Sequence, residues 1–154
     1  MKRAKFLSLL ATIASLSLYG AALIAGDTTA KSSPVGVWKT VDDNTGKVRS
    51  HIKIWENNGK LYGKILKLID PPEANPVCDK CQGNLHNKPV EGMTVMKGLK
   101  KDGNEWSGGT ILDPESGKTY KVLLELMQNG NKLKVRGYIG FSLLGRTQYW
   151  HRLK

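Results

Sequence analysis

Leu133-Lys134-Val135-Arg136-Gly137-Tyr138-Ile139 changes character at every step. Leu133, Val135, Gly137 and Ile139 fall on one face of an extended chain, and Lys134, Arg136 and Tyr138 fall on the other. That period of two is what a half-buried β-strand requires. Asn129-Gly130-Asn131 precedes the run and Leu144-Gly145 follows it, each with a glycine able to take the positive φ of a tight turn. The same alternation recurs upstream, where Val48, Ser50, Ile52 and Ile54 oppose Arg49, His51, Lys53 and Trp55. Further turn signals at Asp43–Gly46, Asn57–Gly59, Lys101–Asn104 and Pro114–Gly117 divide the chain. The predicted strands are Val35–Val41, Val48–Glu56, Leu61–Ile69, Val90–Leu99, Glu105–Leu112, Thr119–Met127, Leu133–Gly140 and Arg146–Leu153. All are too short for typical helices and rich in β-branched or aromatic residues.

Eight consecutive antiparallel strands with short links leave two exposed edges unless the sheet closes on itself. The expected fold is therefore all-β, an eight-stranded antiparallel up-and-down barrel. At that size the interior is either just filled by side chains or just wide enough for one small ligand. Met93, Met127, Phe141 and Trp106, if all turned inward, would fill it. One connection breaks the rhythm, residues 70–89, where Pro71, Pro72, Pro76 and Pro89 exclude regular structure. Loops of that length in compact domains are usually functional or flexible.

The amino terminus sets the compartment. Met1-Lys2-Arg3-Ala4-Lys5 leads into a run from Phe6 to Ile24 without an ionisable residue, then Ala25-Gly26-Asp27-Thr28-Thr29-Ala30. A basic head, an apolar middle and a small-residue exit predict a helical signal peptide over 1–30, cut after Thr28-x-Ala30. An apolar run of about 19 residues also allows an uncleaved anchor. Residues 31–154 are then a single periplasmic or secreted barrel domain. Losing Lys2, Arg3, Lys5 and Asp27 takes the formal charge from +11 to +9. A basic exported domain suits an anionic envelope surface. Nucleic acid is excluded as a partner by the compartment and by lysines that come one or two at a time, as at Lys64, Lys67, Lys121, Lys132 and Lys134.

Cys78-Asp79-Lys80-Cys81 holds both cysteines, within the long loop. In an oxidising compartment the default is a disulfide, contributing on the order of 2 kcal/mol by ordering a proline-rich segment. A redox-active pair would place its first cysteine at a helix N-terminus, and Gln82-Gly83-Asn84 gives no helix signal. Zinc would need a fourth ligand beside Cys78, Cys81 and His86, supplied only if His51 or His151 folds in, so no metal site is assigned. Gly-x-Ser-x-Gly, His-Glu-x-x-His and Walker patterns are missing, and the sequence implies no cofactor. Glu56, Glu91, Asp113 and Glu125 form no pair that sequence brings together, and Asp113-Pro114-Glu115-Ser116-Gly117 reads as a turn with a capping Asp.

The two ends of the barrel are more specific. Gly36-Val37-Trp38 opens the first strand and Gly145-Arg146-Thr147-Gln148-Tyr149-Trp150-His151-Arg152 forms the last. Closure makes these strands neighbours, so Trp38 is expected to meet Arg146 or Arg152, a guanidinium stacking on the indole. Gly-x-Trp in the first strand with Arg in the last resembles the lipocalin and wider calycin pattern. Leu61-Tyr62-Gly63-Lys64-Ile65, Cys78-x-x-Cys81, Lys88-Pro89-Val90-Glu91-Gly92-Met93, Gly109-Thr110-Ile111-Leu112-Asp113-Pro114 and Ser142-Leu143-Leu144-Gly145-Arg146-Thr147-Gln148 extend the likeness. With them the mature chain resembles the bacterial exported family catalogued as domain of unknown function 2147.

That resemblance implies an exported, single-domain, lipocalin-like barrel and no particular activity. One departure from lipocalins concerns ligand entry: their large loop follows the first strand, here only Asp42 to Lys47, whereas this chain's follows the third. The first functional reading is a binding protein for a small apolar or amphipathic molecule, such as an anionic lipid. Arg136, Tyr138 and Arg146 are its candidate head-group residues, and Gly36, Trp38, Arg146 and Arg152 are the candidates for barrel closure. The alternative is a structural protein, its barrel packed solid and its basic surface docked on the envelope. A thiol-redox enzyme resting on Cys78 and Cys81 is the third.

Overall fold

The computed structural model describes residues 32–154, and the signal peptide expected at 1–30 lies outside the described residues. Strands β1 (Gly36–Val41), β2 (Val48–Asn57), β3 (Lys60–Leu68), β4 (Thr94–Asp102), β5 (Glu105–Asp113), β6 (Lys118–Met127), β7 (Lys132–Tyr138) and β8 (Gly145–Arg152) pair in sequence order, antiparallel throughout, and close into one barrel. Their hairpins follow from turn chemistry. Asn58 and Gly59 carry φ of 50° and 69° between β2 and β3, the mirror-image turn that matches the strands' twist.

Most boundaries lie within one residue of expectation; three ends move further, one of them the end of β4, at Asp102 instead of Leu99. β4 starts at Thr94 instead of Val90, because Val90 donates to Pro76 O (2.9 Å) and Gly92 to Ile65 O (2.8 Å), which folds that segment back under the long loop. β7 stops at Tyr138 instead of Gly140, because the β7–β8 turn begins there, with Gly140 at a φ of 69° and Leu144 N donating to Phe141 O at 3.0 Å.

Alternation sorts the side chains. Ile52, Ile54, Val122, Leu124, Leu133 and Val135 are buried inside, while Lys53, Lys67, Lys121 and His151 are exposed outside. A membrane-spanning barrel carries the opposite pattern, apolar outward and polar inward. No helix among the described residues is long and apolar enough to cross a membrane.

One end of the barrel is a packed floor. Trp38 is fully buried, its Nε1 donating to Pro34 O at 2.7 Å, and the Arg152 guanidinium lies 4.2 Å from the ring centroid. Arg152 is itself tied down through Nε to Gly130 O (2.6 Å), Nη1 to Val35 O (2.8 Å) and Nη2 to Ser33 O (2.8 Å). Burial pulls its pKa below the ordinary guanidinium value, yet an arginine this basic stays charged. Gly36 has a φ of 143°, and a Cβ there would lie 2.6 Å from both Arg152 Nη1 and Lys154 O. The end of β8 therefore occupies the space a side chain would need. The β1–β8 seam is short, with only Trp38↔Arg152 and Lys39↔His151 in register, and Val37 extends it through bonds to Leu153 and Lys154.

The long loop is ordered against the barrel. Cys78 and Cys81 form a disulfide and both are buried. Cys78 exchanges backbone bonds with Lys88 and Asn87, each 2.9 Å, and Val77 bridges Pro89. Lys80 Nζ donates to Glu115 O (3.1 Å), and Cys78 Sγ rests 3.2 Å from Pro114 O, so the loop sits on the β5–β6 turn.

The β1–β2 turn hangs on one carboxylate. Asp42 Oδ1 accepts from Thr45 N (2.8 Å), Thr45 Oγ1 (2.9 Å) and Asn44 N (3.1 Å). The Thr45 backbone bond, then its hydroxyl, holds the Asp42 pKa below its ordinary 3.8. A depressed folded-state pKa means that the contribution is complete above the unfolded value and fades as pH falls through the folded one. Amide exchange at Thr45, corrected for intrinsic rate, is therefore expected to rise only below pH 3.8. A rise already near neutrality would contradict this role.

Candidate functional site

The opposite end is open. A cavity of about 1230 Å³ runs from the barrel's middle to its mouth. Its wall is set by the inward parity of the strands: Ile52, Ile65, Val95, Ile111 and Val135 provide the apolar surface. Gly137 leaves room, since a Cβ there would meet nothing nearer than Tyr120 Cβ at 3.6 Å. Polar groups inside are few and neutral. Thr40 Oγ1 and Ser50 Oγ, both buried, satisfy each other at 2.8 Å, and Gln148 Oε1 accepts from Trp150 Nε1 at 3.4 Å.

Charge gathers at the mouth, on strand ends and connections. Arg49 pairs with Glu115 at 2.9 Å across the β1–β2 and β5–β6 corners. Arg146 directs Nε (2.9 Å) and Nη2 (2.7 Å) to Asp43 Oδ2, and that bond keeps its pKa above the ordinary value. Both pairs are substantially exposed and are worth little as stability. Their consequence is polarity: the cavity has an apolar, uncharged interior and an ionic rim.

The residues singled out from sequence divide accordingly. Trp38, Arg152 and Gly36 meet at the floor. Arg146 does not join them, because six residues of extended β8, about 20 Å, put it at the mouth, where it lines the cavity beside Tyr138. Arg136 is not a cavity residue. It stands on the outward face of β7, its donors spent on Ser142 O (2.6 Å), Leu143 O (3.1 Å) and Thr147 Oγ1 (2.8 Å). Nor is the barrel packed solid: Met93 and Trp106 are buried, but Phe141 is 80% exposed. Both cysteines of the disulfide are buried, whereas the thiols of redox sites are accessible. His86 Nδ1 lies 3.0 Å from Cys81 O, and no metal-holding group of His, Cys, Asp or Glu occurs among the described residues.

Sequence reasoning missed Tyr120 and Gln148 as lining residues and the Thr40–Ser50 pair. Their inward parity was readable once each strand's face was fixed. It set Ile139 on the dry face and Phe141 among the residues that could fill the interior, and gave Leu143 and Leu144 no side-chain role, whereas all four are exposed, an apolar run inside a turn.

A closed eight-stranded barrel with a packed floor and an apolar cavity open at the other end is lipocalin-like. The chain belongs to the family described as an uncharacterized protein conserved in bacteria, DUF2147, whose model matches residues 36–152. Among solved structures it is similar to protein HP1028 from the human pathogen Helicobacter pylori, described as belonging to the lipocalin family. That likeness has a TM-score of 0.69 at 24% identity, covering 79% of this chain and 84% of the other, and it concerns the fold. No curated protein matches the chain.

Proposed function

We propose that this protein is an exported binding protein for a small amphipathic molecule, held with its apolar part in the barrel and its head group at the mouth. The observation that carries the reading is the division within the cavity of about 1230 Å³, uncharged inside and ionic at the rim. Small-ligand sites have this composition, mostly apolar with a few placed polar groups. At the rim, Asp43 engages Nε and Nη2 of Arg146, and Nη1 makes no hydrogen bond among the described residues. An anionic head group meets that nitrogen and the neighbouring Tyr138, so a fatty acid or anionic lipid is the favoured class. Export through a signal peptide at 1–30 places the protein in the periplasm or outside the cell, and the Cys78–Cys81 disulfide suits that compartment.

Native mass spectrometry of protein recovered from its own envelope tests this directly. A reproducible added mass, removed by organic extraction, is expected, and a clean apo mass would sink the carrier reading. Gly137→Phe provides the control. Its side chain enters the cavity without a backbone clash, and it should weaken amphiphile uptake by about tenfold or more while the barrel stays folded. Unchanged uptake in a folded variant would move the ligand out of the barrel.

A further inference from the structure

The β7–β8 connection presents apolar side chains to solvent where a water-soluble turn would carry polar ones. Ile139, Phe141, Leu143 and Leu144 are 62%, 80%, 87% and 71% exposed. Scattered exposed leucines need no explanation, but four apolar residues within six positions form a patch. The tip is also held in place. Arg136 grips the carbonyls of Ser142 and Leu143 from outside β7, and Leu144 N donates to Phe141 O at 3.0 Å. The backbone is fixed at its polar atoms while the apolar side chains project.

Position and charge indicate what covers the patch. Ile139 and Leu144 belong both to the exposed tip and to the cavity lining, so the apolar surface is continuous from solvent into the barrel. Arg136 satisfies its hydrogen bonds with neutral acceptors only, and its charge has no carboxylate partner among the described residues. Lys121, exposed and in register with Tyr138, adds a second cation beside the tip. Asp43, on the adjoining β1–β2 connection, is neutralised by Arg146, and the acids that line the mouth unpaired among the described residues, Asp42, Glu73, Asp79 and Asp113, stand on other connections and strand ends than the β7–β8 tip. Apolar groups projecting beyond uncompensated cations suit the boundary between the acyl chains and headgroups of an anionic bilayer. We infer that the β7–β8 tip docks the mouth of the barrel on an anionic lipid bilayer, so that an amphiphile passes between membrane and cavity along Ile139 and Leu144 without crossing water. The inference rests on the carrier reading for the cargo but not for the docking.

Flotation with vesicles of phosphatidylcholine, with and without phosphatidylglycerol, tests it. The protein is expected to bind the mixed vesicles and to bind neutral ones more weakly. Phe141→Ser with Leu143→Ser should reduce binding about tenfold or more, while uptake of a fluorescent fatty acid from solution stays unchanged. Leu143→Trp should strengthen binding and show blue-shifted emission quenched by brominated acyl chains. Equal vesicle binding by wild type and the double variant, or emission from the Leu143→Trp variant that ignores the vesicles, would overturn the docking. So would self-association of wild type that the double variant abolishes without any vesicle binding, since the tip would then serve a second copy of the chain. Docking without a captured amphiphile removes the carrier reading alone, and capture without docking removes the present inference alone.

Discussion

Trp38→Ala is expected to lower folding stability by roughly 3 to 5 kcal/mol, the range for a buried Trp cut back to Ala. The indole is fully buried, and three contributions leave with it: its apolar area, the Nε1 bond to Pro34 O, and the face on which Arg152 rests. Arg152 would keep its three carbonyl partners, so the guanidinium is not orphaned and the loss stays within that range. Trp38→Phe should cost less, because one ring still fills most of the site and faces Arg152, and the losses are the Pro34 bond and the remainder of the indole. Urea denaturation with both variants decides the matter. A change below about 1 kcal/mol for Trp38→Ala would mean that the floor can collapse around the gap.

Gly117→Ala is expected to unseat the cysteine loop, at a cost of about 3 kcal/mol when left-handed strain and a backbone clash combine. Gly117 has a φ of 68°, and a Cβ there would land on the Lys80 carbonyl and lie 3.0 Å from Cys81 N. Neither obstacle is a flexible side-chain end that could swing away. Gly46→Ala is the matched control, with a φ of 70° and nothing within 4 Å, and should cost only about 1 kcal/mol. Limited proteolysis should then cut residues 71–89 in the Gly117 variant and spare them in the other. Because Pro76, Val77 and Val90 line the cavity, the first variant should also lose bound amphiphile. Equal stability for the two variants would show that the loop is not seated through this turn.

The barrel was readable because two local signals agreed along the whole chain. Each strand such as β7 shows its dry face by alternation, and each turn such as Asn58-Gly59 supplies the φ its hairpin needs. Closure then followed from counting strands. What alternation cannot give is which end of a strand faces the floor, and Arg146 and Arg152 were interchangeable until the register Trp38↔Arg152 separated them. The place of Arg136 was illegible for a related reason. A basic residue on an outward face has many uses, and the loop carbonyls that occupy it are contacts made only after folding. Whether the interior is empty was illegible as well: alternation turned Gly137 inward, but it could not say that Phe141, beyond the end of β7, turns out.

The short seam between β1 and β8 bears on how the molecule comes together. Seven of the eight pairings join strands adjacent in sequence, and all of these except β3–β4, which spans the long loop, close a small loop at little entropic cost. The eighth joins the two ends: Arg152 reaches Val35 across 117 residues, and the ladder it completes is only two pairs long. So much closure entropy for so little pairing puts this step late, after the meander has formed. Contacts formed after the transition state govern the rate of falling apart more than the rate of assembly. Trp38 and Arg152 thus act chiefly as a latch on the way out. Weakening them shortens the lifetime of the closed barrel, and the strands that part first expose two unpaired edges, the surfaces through which one copy of a barrel joins another.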